Sequence, residues 1–179
     1  MVNSVGDSHS QGNTQSSQSK EQQFQEMLML SLVQVAINND PNAPPSSTDP
    51  YSQKVQNIQQ ELKSGAISPA QAVVLLASAA QEATHHQNID LPPLPLTEMN
   101  SSQGRLLAMT YPLALFVDKQ VIAGQVPKTM VHTVKMFAYD VEAGRIGGKG
   151  GADALNGVIA QVNSYLPAHN QFPSLPQGF

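Results

Sequence analysis

The chain has 179 residues, a formal net charge of -4 and a charged fraction of 12%, which is about half the fraction found in typical soluble proteins. Its lysines and arginines number only 9 and are scattered. Nucleic-acid binding requires clustered contacts with phosphates, so we exclude DNA and RNA as partners. The absence of cysteine excludes disulfide scaffolds, thiolate catalysis, zinc ribbons and iron–sulfur clusters.

Polarity is supplied mainly by glutamine, asparagine, serine and threonine. Such a neutral surface resists association less than a charged one, because no net field keeps copies apart. The composition therefore fits a subunit covered by its neighbours, and it fits equally well a chain that is partly disordered in its N-terminal third. We expect no secretory signal and no membrane span, since the longest apolar stretch, 106–117, falls short of the roughly 20 residues needed.

Residues 1–20 are polar and of low complexity, which predicts a flexible or extended tail because they cannot bury enough apolar surface. Residues 21–38 predict a helix whose apolar residues cover more than one face. Because such a helix needs contacts on two sides, we expect it to bind a protein partner. The candidate partner-binding residues on this helix are Phe24, Met27, Leu28, Leu32 and Val35.

The end of this predicted helix carries a motif. It reads Leu28-Met29-x-x-Leu32-Val33-x-x-Ala36-x-Asn38-x-Asp40-Pro41-x-x-Pro44, with Gln53 further along. The motif resembles the N-terminal segment of flagellar hook-capping proteins, and the resemblance covers residues 28–53. It implies export by a type III route and a role in capping a growing protein tube.

Two further helices are predicted at 51–63 and 69–86, and they complete an N-terminal helical region at 21–87. Ser68 is the expected N-cap of the second of these helices, with proline at its first position. In residues 88–97 prolines alternate with leucines. This pattern predicts an extended, polyproline-like linker.

A C-terminal helical domain is predicted at 98–166. Its expected helices cover 99–123, 127–143 and 151–166, and Pro112 predicts a break or kink in the first of them. Glycines at positions 65, 124 and 144 each lie between apolar residues at a predicted helix end, a pattern typical of turns between helices. Strand patterns are weak, so the predicted fold is all-α, built of helical hairpins joined by Gly/Pro turns.

An extended tail is predicted at residues 167–179. It contains Phe172, Leu175 and Phe179, spaced by prolines. One interpretation is a docking peptide, which makes Phe179 a further candidate partner-binding residue. The other is a tail whose aromatic residues are incidental.

Histidines occur at two places in the sequence, and for each of them we consider metal binding or acid–base catalysis. Glu82 lies three and four residues before His85 and His86, so a Glu–His pair could share a helix face. Histidines at a helix end more commonly stabilise the helix dipole. His132 is followed by acidic residues eight and ten positions later, but no nucleophile motif accompanies it. We therefore expect no catalytic residue, no metal and no cofactor.

Residues 144–151 form a glycine-rich loop before a predicted helix. Backbone N–H groups at a helix N-terminus bind phosphate, so Lys149 and Gly150 are candidate anion-binding residues. The loop departs from the P-loop pattern, because Gly150 stands where a serine or threonine would coordinate magnesium. The sequence favours the alternative, a flexible hinge between two helices.

These features predict a non-catalytic structural or accessory subunit of a large assembly, with a bacteriophage virion or tail component as the leading hypothesis. Its partners would be proteins, in a homo- or hetero-oligomer, and its location a virion or another exported assembly, with the cytoplasm as the alternative. One alternative function is a type III or flagellar-type export substrate that acts as a cap or scaffold. Another is an anion- or nucleotide-binding switch that uses the loop at 144–151.

Overall fold

The computed structural model describes residues 22–29, 31, 50–99, 101–147, 149–176 and 179. Within these ranges the chain is helical and contains no β-strand, so the predicted all-α fold is confirmed. The predicted tail at 1–20 lies outside the described residues. No helix in the described part is long and apolar enough to cross a membrane.

The helices follow one another with short connections. α1 includes residues 22–29, α2 covers Pro50–Ser64, α3 Pro69–His86, α4 Ser102–Ile122, α5 Thr129–Glu142 and α6 Lys149–Asn163, and a short 3-10 helix covers Ala168–Asn170. Each of α2 to α6 overlaps a helix predicted from the sequence. The ends of some helices differ from the predicted ones by a few residues, as is usual where helices fray.

Serine side chains cap the starts of α3 and α4. Ser68 and Gln71 form a capping box. The backbone N–H of Gln71 donates to Ser68 Oγ at 3.2 Å, and the backbone N–H of Ser68 donates to Gln71 Oε1 at 2.8 Å. Ser101 Oγ accepts a hydrogen bond from the Gly104 amide at 3.0 Å. These bonds satisfy N–H groups that the helices leave unpaired. The Ser101 cap also places the start of α4 at Ser102, after the predicted start at residue 99.

The predicted glycine turns are present between successive helices. Gly65, Gly124 and Gly144 have φ angles of 82°, 77° and 78°. This left-handed conformation is cheap only for glycine, and it lets the next amide return to the helix that has just ended. At the first turn, for example, the Ala66 amide donates to the Glu61 carbonyl at 2.9 Å.

α4 is the central element of the fold. It packs against α3, α5 and α6, and every residue from Leu106 to Val117 is buried. The sequence predicts a break or a kink at Pro112, but Pro112 lies inside a continuous helix, so the helix is not broken there. A proline in a helix interior costs about 3 kcal/mol, and the packing of α4 on three neighbours offsets that cost.

Apolar packing continues across the predicted linker at 88–97, which we call the proline-rich segment. Pro92 and Leu94 are buried, and buried side chains before and after the segment belong to one core. The Tyr111 hydroxyl of α4 donates a hydrogen bond to the Pro92 carbonyl. The middle of the segment is therefore held against the helices.

Candidate functional site

Residues 171–176, which we call the C-terminal segment, pack against the helical body. Phe172 and Leu175 are only 2% and 5% exposed. The Phe172 ring centroid lies 5.5 Å from that of Phe116 in α4, with 60° between the ring planes, an arrangement that aromatic pairs favour. The predicted tail thus docks through its apolar residues, and it docks on its own chain.

Two asparagines of α6 bind the backbone of the C-terminal segment. Asn163 donates to the Phe172 carbonyl at 2.9 Å and accepts from the Phe172 amide at 2.9 Å. Asn156 donates to the Leu175 carbonyl at 3.2 Å and accepts from the Leu175 amide at 2.7 Å. Each asparagine therefore satisfies both backbone groups of one residue, and neither pair of bonds depends on that residue's side chain. We call the surface carrying Asn156, Asn163 and Phe116 the α6 groove.

The spacing of the two asparagines matches the spacing of the residues that they bind. Asn156 and Asn163 are seven residues apart, which corresponds to two helical turns and a rise of about 10.5 Å. Phe172 and Leu175 are three residues apart, which in an extended or polyproline-like chain corresponds to about 9–10 Å. Two asparagines at this interval on a helix can therefore bind the backbones of two residues that are three apart in an extended peptide.

A short reversal joins α6 to the C-terminal segment. The Gln171 side-chain amide donates to the carbonyls of Asn163 and Leu166, each at 3.3 Å. The Asn170 side chain donates to Gln120 Oε1 of α4 at 3.3 Å. Because Phe172 lies beside Asn163 and Leu175 lies beside the earlier Asn156, the segment runs back along α6 towards its start.

We expect Asn163→Ala to loosen the C-terminal segment. The substitution leaves the amide and carbonyl of Phe172 without partners, and an unsatisfied buried group costs about 1–3 kcal/mol. Hydrogen exchange of the Phe172 amide should therefore accelerate by tenfold or more, while amides in α4 keep their protection. Gln161→Ala, on the exposed part of the same helix, is the control. Equal exchange rates in the two variants would contradict the assigned role of Asn163.

The predicted partner-binding residues of α1 lie against the C-terminus of the same chain. Phe24 and Leu28 are 1% and 0% exposed, and Met27 is partly buried against the core. The Phe179 ring centroid lies 5.6 Å from that of Phe24, with 80° between the rings. Phe24 and Leu28 are therefore covered by other parts of the same chain, and Phe179 is one of the residues that cover Phe24.

The remaining candidates of this helix, Leu32 and Val35, lie outside the described residues. Partner binding by the predicted set stays a prediction. For Phe24 and Leu28 it would require α1 to leave the core, since both side chains are already enclosed. Because these two side chains are buried in the folded chain, they do not provide an exposed surface for a partner.

In the glycine-rich loop between α5 and α6, the structure explains why two positions are glycine. Gly144 makes the turn that ends α5. A Cβ atom on Gly151 would lie 2.4 Å from Leu106 Cδ1, so this glycine allows α6 to approach α4 closely. Gly150 has open space around it. Anion binding by Lys149 and Gly150 stays a prediction, and the hinge is the simpler interpretation.

If the loop at 144–151 is only a hinge, Lys149→Ala should leave the melting temperature unchanged. Inorganic phosphate should likewise leave the melting temperatures of the wild type and the variant unchanged. A ligand that binds only the folded state raises its stability. If phosphate stabilised the wild type but not Lys149→Ala, the loop would be an anion site.

In the predicted Glu–His grouping, the Glu82 carboxylate accepts a hydrogen bond from Lys54 and also interacts electrostatically with His86. Glu82 forms an ion pair with Lys54 at 2.5 Å, and this hydrogen bond lowers the pKa of the Glu82 carboxyl. His85 and His86 are exposed in the last turn of α3, where a positive charge would favour the helix dipole. His132 is exposed on α5. In the described ranges no group of three or more histidines and carboxylates could hold a metal ion.

A cleft of about 610 Å³ lies between α3 and the proline-rich segment. Its lining includes Gln81, Glu82, His85, Asp90, Leu96 and Tyr111. Asp90 accepts a hydrogen bond from the Tyr139 hydroxyl at 3.1 Å and lies 3.6 Å from Lys135 Nζ, so its charge is partly compensated. The cleft was not predicted from sequence, because residues of α3, α4 and the proline-rich segment form it together.

Burial of the Tyr111 hydroxyl raises the pKa of this side chain to about 12, and nearby Tyr139 and acidic groups add to the shift. The folded state holds the Tyr111 hydroxyl proton more tightly than the unfolded state does. The stabilisation of the folded state that results is complete below pH 10. It is lost as the pH rises through about 12. We therefore expect the free energy of unfolding to fall between these values, and to fall less steeply in Tyr111→Phe. Tyr165→Phe, which alters an exposed tyrosine, should behave like the wild type; an equal slope in all three proteins would contradict the shift.

The α6 groove with its bound segment is the site that best combines polar contacts and buried apolar side chains. It can hold an extended, uncharged peptide through backbone groups and two apolar side chains, and it brings together no nucleophile and base. The chain was also compared with known proteins. No protein-family model, curated protein or solved structure matches it.

Proposed function

We propose that this chain is a non-catalytic subunit of a large protein assembly, and that it is a component of a bacteriophage virion or tail. The observation that carries the proposal is the α6 groove, which holds an extended segment by its backbone. Backbone-directed binding suits a structural subunit, because it fixes the path of a neighbouring polypeptide without needing charged contacts. The low charged fraction of 12% supports the same role.

A second segment of the chain shares the pattern of the bound one. The proline-rich segment contains Leu91-Pro-Pro-Leu94-Pro, and the C-terminal segment contains Phe172-Pro-Ser-Leu175-Pro. Leu94 and Leu175 are both buried. Prolines reduce the entropy that an extended segment loses on docking, so the helical body is suited to binding segments of this kind.

The proposal is tested by fractionating virus particles from cultures in which the chain is produced. Mass spectrometry of particles purified by density gradient and washed at high salt should find the chain at a fixed ratio to the other particle proteins. A neutral interface is expected to survive the salt wash, because screening weakens only charged contacts. If the chain remained with the cellular proteins and never with particles, the virion assignment would be overturned.

A type III or flagellar-type export substrate that acts as a cap or scaffold is the second candidate, since residues 28–53 resemble the N-terminal segment of hook-capping proteins. The same fractionation separates the two functions. An exported cap should occur in the culture medium or on purified filaments, and it should disappear from them when the export apparatus is inactivated. A virion component should be indifferent to that apparatus.

A further inference from the structure

We propose that Asn156 is a site of spontaneous deamidation, and that the product loosens the C-terminal segment at Leu175. Asn156 and Gly157 form the only Asn-Gly pair in the sequence. Glycine has no Cβ atom, so its backbone nitrogen can reach the side chain of the asparagine before it with the least hindrance. This modification goes beyond the proposed function, because it does not depend on the assembly that contains the chain.

The reaction consumes only water. The backbone nitrogen of Gly157 attacks the side-chain carbonyl carbon of Asn156, and the new C–N bond closes a succinimide ring. The bond from that carbon to Nδ2 breaks, and Nδ2 leaves as ammonia with the proton that the Gly157 nitrogen gives up. Water then adds to one of the two ring carbonyls and opens the ring. The product is aspartate or isoaspartate, and in isoaspartate the main chain runs through the former side chain.

The Asn-Gly pair lies at an accessible point of α6. Gly157 is exposed, and nothing lies within 4 Å of a Cβ atom built on it, so no close packing requires glycine there. Glycine in a helix interior also weakens the helix relative to alanine. Water can therefore reach the pair, and α6 opens more readily here than it would with another residue.

The folded state slows the reaction in two ways. Inside a helix the Gly157 N–H donates to the carbonyl four residues earlier, and this bond must break before the nitrogen attacks. The Asn156 side chain donates to the Leu175 carbonyl at 3.2 Å and accepts from the Leu175 amide at 2.7 Å, which holds it on the C-terminal segment. Deamidation therefore follows a local opening of α6 and of this contact.

The product cannot make both hydrogen bonds of the asparagine. An ionised carboxylate only accepts hydrogen bonds, so the Leu175 carbonyl loses its donor and faces a negatively charged oxygen. Leu175 is buried, and its carbonyl regains a partner in water only if the segment moves. Asn163 and Phe116 still hold Phe172. The reaction therefore loosens the segment at Leu175 and leaves its other end attached, and it is not reversed by refolding.

Incubation of the full-length chain at mildly alkaline pH tests the modification. The solvent is water enriched in heavy oxygen, which labels only the products of succinimide hydrolysis, and peptide mass spectrometry should find labelled aspartate and isoaspartate at position 156. In the control Gly157→Ala the rate should fall by about tenfold, because alanine hinders the attacking nitrogen and strengthens the helix. If Asn156 stayed intact in the folded chain while it deamidated in urea, the proposal would be overturned.

Asn156→Asp reproduces the aspartate product and tests the loosening. Hydrogen exchange of the Leu175 amide should accelerate by about tenfold, because one bond to the segment is lost, while amides in α4 keep their protection. Gln161→Asp adds the same charge on the exposed part of α6 and should not change this exchange. Equal exchange in the two variants would overturn the loosening.

The deamidated wild type provides the same measurement without a substitution. Anion exchange separates it from the fresh protein, because each deamidated chain gains one negative charge. Its Leu175 amide should exchange faster than that of the fresh protein, by about tenfold as in Asn156→Asp. This comparison also decides the question if Asn156→Asp does not fold, and equal exchange in aged and fresh protein would overturn the loosening.

Discussion

Replacing Gly104 with alanine is expected to destabilise the protein by about 1–3 kcal/mol, the usual cost of adding atoms to a well-packed site. Gly104 lies in the first turn of α4 and is buried. A Cβ atom there would lie 2.4 Å from the Glu98 carbonyl oxygen and 2.9 Å from that of Met99. Both obstacles are backbone atoms, so the chain entering α4 must move as a whole to relieve the overlap.

Gly157→Ala is the matched control for this prediction. Gly157 lies in the interior of α6, and nothing lies within 4 Å of the Cβ that the substitution adds. Alanine should therefore stabilise the helix by about 0.5–1 kcal/mol through its higher helix propensity. Urea denaturation of both variants measures the difference. If both substitutions change stability in the same direction, the close approach at Gly104 is not what determines its effect.

Leu28→Asp is expected to unfold the chain or to detach α1 from the core. Leu28 is 0% exposed, and truncating such a leucine to alanine already costs about 2–5 kcal/mol. An aspartate adds the cost of placing a charge among apolar side chains without a partner. Gln23→Asp, on the exposed side of the same helix, should change the stability little.

Circular dichroism and light scattering distinguish the outcomes of Leu28→Asp. A loss of helical signal or of thermal stability would assign Leu28 to the core of its own chain. If the variant kept its stability but lost a mass increase seen in the wild type, Leu28 would instead bind a second molecule. The second outcome would require the Phe24–Phe179 contact to be absent in solution.

Much of the helical framework could be predicted from the sequence, because its determinants are local. Ser68 and Pro69 specify the start of α3 through hydrogen bonds and backbone angles within one turn. Gly65 and Gly144 specify turns because few other residues adopt their conformation. These effects act over a few residues, so they can be recognised without knowing what packs against the helix.

The failures share one cause, which is packing between distant parts of the chain. Pro112 has the local signature of a helix break, yet α4 continues through it because three helices surround α4. Sequence periodicity likewise does not show that Phe179 meets Phe24, so this contact could not be predicted.

The sequence by itself determined an all-α chain with its glycine turns, the Ser68 cap and an apolar C-terminal segment. Only the tertiary structure decided where that segment lies. Asn156 and Asn163 are ordinary polar residues of a helix until Phe172 and Leu175 lie beside them. Their role depends on a reversal after α6 and on a match between helical and extended spacing. Neither the reversal nor the match of spacings can be recognised from the residue pattern of one segment, because both arise only when two segments meet.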